Sequence, residues 1–374
     1  MQYREYGKTG KRVSAFGVGV MRMPLKAGEI DFDQTAEIIR YAIDHGVNYF
    51  DSAFTYHNAK SEVALGLALE GGYRGKAFVA TKQMVSSAKT EDDFRRNLET
   101  TLGRLKTDFI DSYFMHNINP SNWPRMKEMN MPAHFLKFRE EGTIGATGFS
   151  FHGDFDLFKE VLDYADFDMC QIQQNLLDVN KQATEKAIEY AADRGMAVVI
   201  MEPLRGGGLV NPPPEVQALY NSFETKRSPV EWGFRHVYDN PGVSVVLSGV
   251  SSMDQLKENI AIFEHALPGC MSEAEKQLIT KVRLAYEGRV TMPCTGCAYC
   301  MPCPSHVNIP KLFDLNNSGI MLDNPRNPRK SYLKQKSAGT DASQCVECGL
   351  CVSQCPQGIN IPQQLKKVHE YLNV

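Results

Sequence analysis

Residues 294–374 hold eight of the ten cysteines of this 374-residue chain. They fall into two runs, Cys294-x2-Cys297-x2-Cys300-x2-Cys303-Pro304 and Cys345-x2-Cys348-x2-Cys351-x3-Cys355-Pro356. The runs are an internal repeat that continues past their fourth cysteines. Cys303-Pro304-Ser305-His306-Val307-Asn308-Ile309-Pro310 matches Cys355-Pro356-Gln357-Gly358-Ile359-Asn360-Ile361-Pro362. Proline is tolerated in the first turn of a helix, so Pro310 and Pro362 are expected to open helices. A tail this short cannot rely on an apolar core alone. The chain starts Met1-Gln2-Tyr3-Arg4-Glu5-Tyr6, with no apolar leader, and its longest apolar stretches, such as Met196–Met201, are too short to cross a bilayer. A cytoplasmic protein with no membrane partner is expected, and in a reducing compartment clustered cysteines read as metal ligands before disulfides.

Structural zinc usually takes four ligands in two separated pairs. Three cysteines at x2 spacing with a fourth before proline suit a [4Fe–4S] cubane instead, and the second run is the bacterial ferredoxin pattern. The expected metal ligands are therefore Cys294, Cys297, Cys300, Cys303, Cys345, Cys348, Cys351 and Cys355, holding two clusters. In two-cluster ferredoxins the fourth cysteine of each run binds the other cluster. That rule groups Cys355 with Cys294, Cys297 and Cys300, and Cys303 with Cys345, Cys348 and Cys351. The first run is one residue short before Cys303, which leaves the exchange open while the eight ligands stand as a set. The long spacer resembles helical ferredoxin modules more than the compact βαβ type. Within it, Arg326, Arg329, Lys330, Lys334 and Lys336 outnumber Asp323 and Asp341. The segment reads as a solvated loop, or as a docking patch for a ferredoxin-like redox partner.

The body of the chain alternates short apolar runs with amphipathic segments. The apolar runs lie near 13–20, 47–52, 77–81, 110–115, 144–149, 169–174, 197–202 and 243–249. Between the first two, Ile39, Ala42, Ile43 and Gly46 share one helical face. Thr90 with Asp93 forms a capping box ahead of Phe94, Leu98 and Leu102. Eight such units suit a (β/α)8 TIM barrel, with a doubly wound sheet as the rival. No GxGxxG and no GxxxxGK[ST] is present, which favours the barrel. A small hairpin is expected around Lys8-Thr9-Gly10, and Ser272 with Glu275 opens a helix to about Glu287. The expected architecture is an α/β barrel over residues 1–290 and a mainly helical ferredoxin-like domain over 291–374. Lys and Arg total 41 against 44 Asp and Glu, a net charge of −3, which argues against nucleic acid as partner.

Barrel enzymes gather their chemistry at the C-terminal strand ends. The second run ends in Asp51-Ser52-Ala53-Phe54-Thr55-Tyr56, the third in Thr81-Lys82 and the fourth in Met115-His116. Four different titratable types thus converge on one rim. These segments, with Tyr6–Gly10, Ser61-Glu62, Gly145–Ser150, Gln171, Glu202-Pro203-Leu204 and Gln255–Asn259, occur in family order, and residues 2–265 resemble an aldo-keto reductase. With the tail, the whole chain resembles the branch that carries a C-terminal ferredoxin-like domain. The resemblance implies a barrel that binds NADP or NAD without a Rossmann domain. It implies that Tyr56 exchanges a proton with a carbonyl or alcohol substrate. A free tyrosine, with a pKa of about 10, is a poor proton donor near neutrality, and the Lys82 ammonium is expected to lower it. Asp51 would hold Lys82, and His116 would place the carbonyl oxygen.

The resemblance puts Ser150 and Gln171 on the nicotinamide amide. It puts Met201, Pro203, Leu204, Arg205 and Gly207 along the nicotinamide and diphosphate, and Ser248, Gly249, Ser251, Gln255 and Asn259 at the adenine end. Two departures stand out. Met201 replaces the usual stacking aromatic, and residues 248–256 carry no cation for a 2′-phosphate, which leaves NADP against NAD open. Trp123 and Phe54 are expected as apolar walls of the substrate site. Nicotinamide moves two electrons and each cubane one, and no motif for a converting flavin is present. The alternative readings are an electron-transfer protein using its barrel as a platform, with or without flavin, and clusters that are structural or redox-sensing.

Overall fold

The computed structural model describes residues 1–374 apart from the side chains of Val85 and Glu91. Eight parallel strands close into a barrel: β1 (Phe16–Gly19), β2 (Tyr49–Asp51), β3 (Phe78–Met84), β4 (Ile110–Ile118), β5 (Gly148–Phe151), β6 (Met169–Gln173), β7 (Ala197–Met201) and β8 (Val245–Ser248). Each strand pairs with the next in the chain, β8 returns to β1, and a short segment, Ile144–Ala146, extends β5 along the edge of β4. All eight apolar runs are strands. The first contributes to two elements, because Arg12–Ser14 pairs antiparallel with Tyr3–Glu5 before β1 begins.

That hairpin plugs the N-terminal mouth of the barrel. Tyr6 and Val13 pack with Tyr49, Phe78, Ala197 and Val245 at the starts of their strands. The Tyr6 ring centroid lies 4.7 Å from that of Phe78. Gly7 is required here, since a Cβ would stand 2.5 Å from the Ala197 nitrogen. An apolar floor therefore fills the lower barrel and leaves only the C-terminal rim for polar chemistry. Helices return the chain between strands, with the expected capping box on Glu91–Leu105 and an Asp31 cap on Phe32–Asp44.

The chain divides into two compact units, Met1–Gly206 with Glu231–Ser272, and Gly207–Val230 with Glu273–Val374. In the second unit the helix Glu273–Gly288 packs on Pro214–Ser222, with Arg227 paired to Glu275 at 2.7 Å. The second unit is helical, with Ile309–Met321, Arg326–Ser337 and Ile361–Leu372 around a core that includes Val307, Phe313, Tyr332, Ile361 and Val368. Pro310 and Pro362 sit in first turns as expected. Of residues 323–344, read from sequence as a solvated loop or a docking patch, 326–337 form a helix because Pro328 and Tyr332 bury one face. No helix among the described residues is long and apolar enough to cross a membrane.

Candidate active site and cysteine cluster sites

The register of β2, β3 and β4 sets three side chains in a rising step at the rim. Asp51 lies opposite Ala80, Lys82 opposite Phe114, and Met84 opposite His116. Beyond β2 the ladder continues through Ser52 N–H to Ala80 O (2.8 Å) and Phe54 N–H to Lys82 O (3.0 Å). This carries the chain up to Tyr56. Residues His57, Asn58 and Ala59 then take left-handed backbone angles, a tight reversal that fixes where the tyrosine stands. Arg104 holds the same loop from behind. It donates to Phe54 O and to Glu62, each at 3.0 Å, and Glu62 is fully buried and also accepts from Thr81.

Lys82 is 1% exposed and donates to Asp51 Oδ1 and Ser52 O, both at 2.6 Å. Gln171 Nε2 donates to the other Asp51 oxygen at 3.1 Å. The ammonium lies 4.9 Å from the centre of the Tyr56 ring, and the rings of Tyr56 and His116 meet edge-on with centroids 5.7 Å apart. Tyr56, Lys82, Asp51 and His116, which span 66 positions of sequence from 51 to 116, are thus gathered in one group.

Burial disfavours every charge in this group. At Lys82 burial is outweighed by Asp51 and Tyr56, so its pKa lies above the ordinary lysine value. The same burial raises the Asp51 carboxyl against the pull of Lys82 and Gln171. The Tyr56 phenol is also raised, first by burial and then by Asp51, with Lys82 only partly compensating. This corrects the expectation of a lowered tyrosine. Lys82 acts on it, but the dry pocket acts more strongly, and the phenol holds its proton at neutral pH. His116 is pushed down to about 3 by burial, Lys82 and His152, so its imidazole is neutral, and its Nδ1 is buried without a hydrogen-bond partner.

In the second unit the repeat is as clear in the backbone as in the sequence. Gly296 and Ala298 in the first run, and Glu347 and Gly349 in the second, have positive φ at matching positions, as do His306 and Gly358. Matching turns follow, His306 N–H to Cys303 O (2.9 Å) and Gly358 N–H to Cys355 O (3.0 Å). Two equivalent loops therefore pack six of their eight cysteines against the core, with Cys297 and Cys348 exposed. Cys294, Cys297, Cys300 and Cys355 line one cavity. The thiol of Cys300 is raised by burial and by Cys294, Cys297 and Cys355. That of Cys351 is raised to about 11 by burial, Cys345, Cys300 and Cys303. Among the described residues no three His, Cys, Asp or Glu side chains stand in a set for a single metal ion.

The sequence pattern of the aldo/keto reductase family matches residues 15–274. The chain belongs to the aldo/keto reductase family. A 4Fe-4S dicluster domain follows at residues 293–360. L-galactose dehydrogenase from Arabidopsis thaliana is 27% identical over 286 residues, covering 70% of this chain and 88% of that protein. Among solved structures, the holo form of an aldo-keto reductase from Bacillus halodurans superposes with a TM-score of 0.64 at 25% identity, covering 75% of this chain and 96% of that one.

In this aldo/keto reductase several of the residues expected to hold a nucleotide are hydrogen-bonded within the barrel. Ser150 Oγ accepts from Asn117 N–H at 2.7 Å. Ser251 donates through its N–H and hydroxyl to Gln255 Oε1 (2.9 and 3.2 Å), and Asn259 Nδ2 donates to Ser248 Oγ at 3.1 Å. Asn259 is buried and so supports Ser248 from below. Met201 is half-buried against the barrel core, while Pro203 is buried and Leu204 fills the notch left by Gly233. Arg205 Nε lies 3.3 Å from the buried Asp178, and its Nη1 is buried with no partner. Gly206 and Gly207 follow in left-handed conformation.

Several supporting residues carry no sequence signal of their own. Asp178 is one, held by Gln173 (2.9 Å) and Asn175 (3.0 Å). Arg104 is another, since nothing on its helix marks it as the partner of Glu62. Phe54 is half-buried beneath the Arg104 guanidinium at 4.3 Å. Trp123, expected as a wall, is instead buried in Trp123–Glu128 with its indole N–H on Glu160.

Proposed function

We propose that the chain is an NAD(P)-dependent reductase of a carbonyl, or dehydrogenase of the corresponding alcohol, carrying two [4Fe–4S] clusters. The observation that carries the first part is the buried Lys82–Asp51 pair beside Tyr56 and His116, where burial raises the phenol and lowers the imidazole. A nicotinamide, when bound, supplies or accepts the hydride. Tyr56 gives its phenol proton to the carbonyl oxygen as that oxygen gains negative charge. Lys82 stabilises the phenolate left behind, and Asp51 keeps Lys82 in place. A phenol with a raised pKa is a weak acid in the resting pocket. The developing oxyanion beside it lowers the cost of transfer at the moment it occurs. His116, neutral throughout, hydrogen-bonds the substrate oxygen without competing as an acid.

The residues present fit a nucleotide. Arg205 Nη1 is a buried donor without a partner, and Gly206 and Gly207 open the backbone beside it. The similarity to an L-galactose dehydrogenase favours an aldose or its lactone as the reacting pair. For the clusters, Cys294, Cys297, Cys300 and Cys355 would hold one, and Cys345, Cys348, Cys351 and Cys303 the other, in line with the thiols that surround Cys300 and Cys351. Each cluster supplies a one-electron site. Cys297 and Cys348 are exposed, and Tyr299, Val346 and Leu350 beside them are 68%, 70% and 62% exposed. That exposure favours a second role, exchange of electrons with a redox partner at this surface.

The test is an anaerobic screen of aldehydes, ketones and lactones with NADH and NADPH, and of aldoses and alcohols with NAD+ and NADP+, with the visible spectrum followed throughout. Nucleotide oxidation that requires a carbonyl supports the reading. Bleaching of the cluster absorbance by nucleotide alone would couple the two sites. Nucleotide that neither binds nor reacts would overturn the reading.

A further inference from the structure

A chain of polar side chains crosses the rim from Arg205 to His152, and its direction is fixed at one end. Asp178 is buried between two cations, with Arg205 Nε at 3.3 Å and Lys181 Nζ at 3.5 Å. It accepts from Gln173 Nε2 (2.9 Å) and Asn175 Nδ2 (3.0 Å). Gln173 Oε1 in turn accepts from Gln182 Nε2 at 2.9 Å. Each glutamine therefore commits its nitrogen towards Asp178. The last oxygen, Gln182 Oε1, is buried without a hydrogen-bond partner. A buried acceptor is costly unless something donates to it. Gln182 also stands at φ +60°, a conformation uncommon for a residue other than glycine.

His152 is the group at the end of this chain. It follows β5, and its N–H donates to Ile118 O at 2.7 Å, two positions beyond His116. Burial lowers its imidazole below the ordinary histidine value, with Glu202 and Gln182 pulling it only partly back. A neutral imidazole carries one N–H, and giving it to Gln182 leaves the other nitrogen as an acceptor. Glu202 follows β7, next to Met201, which pairs with Gln173. Its backbone has φ +56°, its side chain is exposed, and its carboxylate is in no hydrogen bond or ion pair among the described residues. After burial, the Glu202 charge is among the groups that raise Tyr56, so the carboxylate acts on both Tyr56 and His152.

Beyond Tyr56 and His116, the turns after β5 and β7 thus present two acceptors, one of them an anion. Hydroxyl groups match both. A carboxylate on the substrate would be brought beside Glu202 and repelled. We propose that Glu202 and His152 select a neutral, polyhydroxylated carbonyl substrate by accepting hydrogen bonds from its hydroxyls, with Gln182 as the positioning residue for His152. This rests on the carbonyl-reductase reading above and assigns residues to the sugar-like substrate that reading favours.

The test compares erythrose, butanal and succinic semialdehyde, three four-carbon aldehydes, in steady-state reduction by the full chain with NADH or NADPH. The expected order of wild-type kcat/KM, counted per free aldehyde, is erythrose, then butanal, then succinic semialdehyde. Glu202→Gln should lower the ratio of erythrose to butanal by about tenfold, through KM, the size of one charge-assisted contact. The same change should raise succinic semialdehyde relative to butanal. His152→Phe should lower the erythrose ratio as well, and Gln182→Met should do so to a smaller extent. Circular dichroism checks the fold of each variant, and Glu202→Gln, at an exposed side chain, decides the case if the other two do not fold. A wild type that does not prefer erythrose would overturn the proposal. So would a Glu202→Gln protein that changes all three aldehydes by one factor. A wild type that oxidises neither nucleotide with any of the three would overturn the carbonyl-reductase reading itself, an outcome distinct from both.

Discussion

The two units of this chain assemble functional residues in opposite ways. In the barrel, Asp51, Lys82 and His116 come from three strands, and only the register of a closed sheet makes them neighbours. In the C-terminal unit the eight cysteines come from two short loops that repeat each other in sequence and in backbone sign. The barrel site is held from below by an apolar floor and from behind by Arg104 and Glu62. The cysteine loops rest on a small core of one unit. Topology builds the first site before any cofactor arrives. The proposed clusters would complete the second, as metals do in small metal-stapled units generally.

The sharpest break in this contrast should come from Lys82→Met. It leaves Asp51 buried without its ion partner, which costs about 3–5 kcal/mol of stability. Turnover should fall by about a thousandfold or more, within the reach of an acid–base group and its activator. Urea unfolding and carbonyl-dependent NAD(P)H oxidation measure the two effects. A stable and active Lys82→Met protein would mean that the pair holds neither fold nor chemistry.

The cysteine side is sharpened by single removals. Cys355→Ala and Cys300→Ala should each lose the same half of the iron and sulfide, and reduced samples should show the same surviving electron paramagnetic resonance signal. Cys303→Ala and Cys351→Ala should leave the other signal. If Cys355→Ala instead resembled Cys351→Ala, the exchange of fourth ligands would be refuted. Asp51→Asn is a milder change than loss of Lys82, because the amide can still accept from the ammonium. Turnover should fall by about ten- to a hundredfold, on the scale of one charge-assisted hydrogen bond.

The smallest effect concerns pH. His116, at about 3, is neutral across the working range, and Tyr56 is raised above the ordinary tyrosine value. Reduction needs the protonated phenol, so its rate should stay flat through neutrality and fall only on the alkaline side of about pH 10. Oxidation needs the phenolate and should rise with pH over the same range. An inflection between about pH 5 and 8 in the reduction profile that vanishes in His116→Asn would show that the histidine titrates as an acid.

Much of this was legible in the sequence, for identifiable reasons. Apolar runs at regular intervals announce barrel strands, since a strand buried on both faces has almost no polar residues. The rim residues Asp51, Tyr56, Lys82 and His116 were visible at or shortly after the ends of such runs. The cysteine spacing was visible because three of each cluster's expected ligands are local in the chain. What the sequence hid was long-range. Arg104 reaches Glu62 and Phe54 across three elements. Asp178 takes Arg205 from a different loop. The Tyr56 shift was read with the wrong sign because Lys82 was visible in the sequence and the depth of the pocket was not. Residues 326–337 read as a loop because their charges outnumber the two residues, Pro328 and Tyr332, that bury a face.

The central claim is that Tyr56 is the proton donor of a nicotinamide-dependent carbonyl site in the barrel. Tyr56→Phe removes one oxygen and leaves the ring against His116 and Lys82. The measurement is carbonyl-dependent NAD(P)H oxidation under anaerobic conditions, alongside the dissociation constant for the nucleotide in the same preparation. The account predicts turnover reduced by about a thousandfold or more with the nucleotide constant unchanged. Turnover retained at the wild-type rate would contradict it.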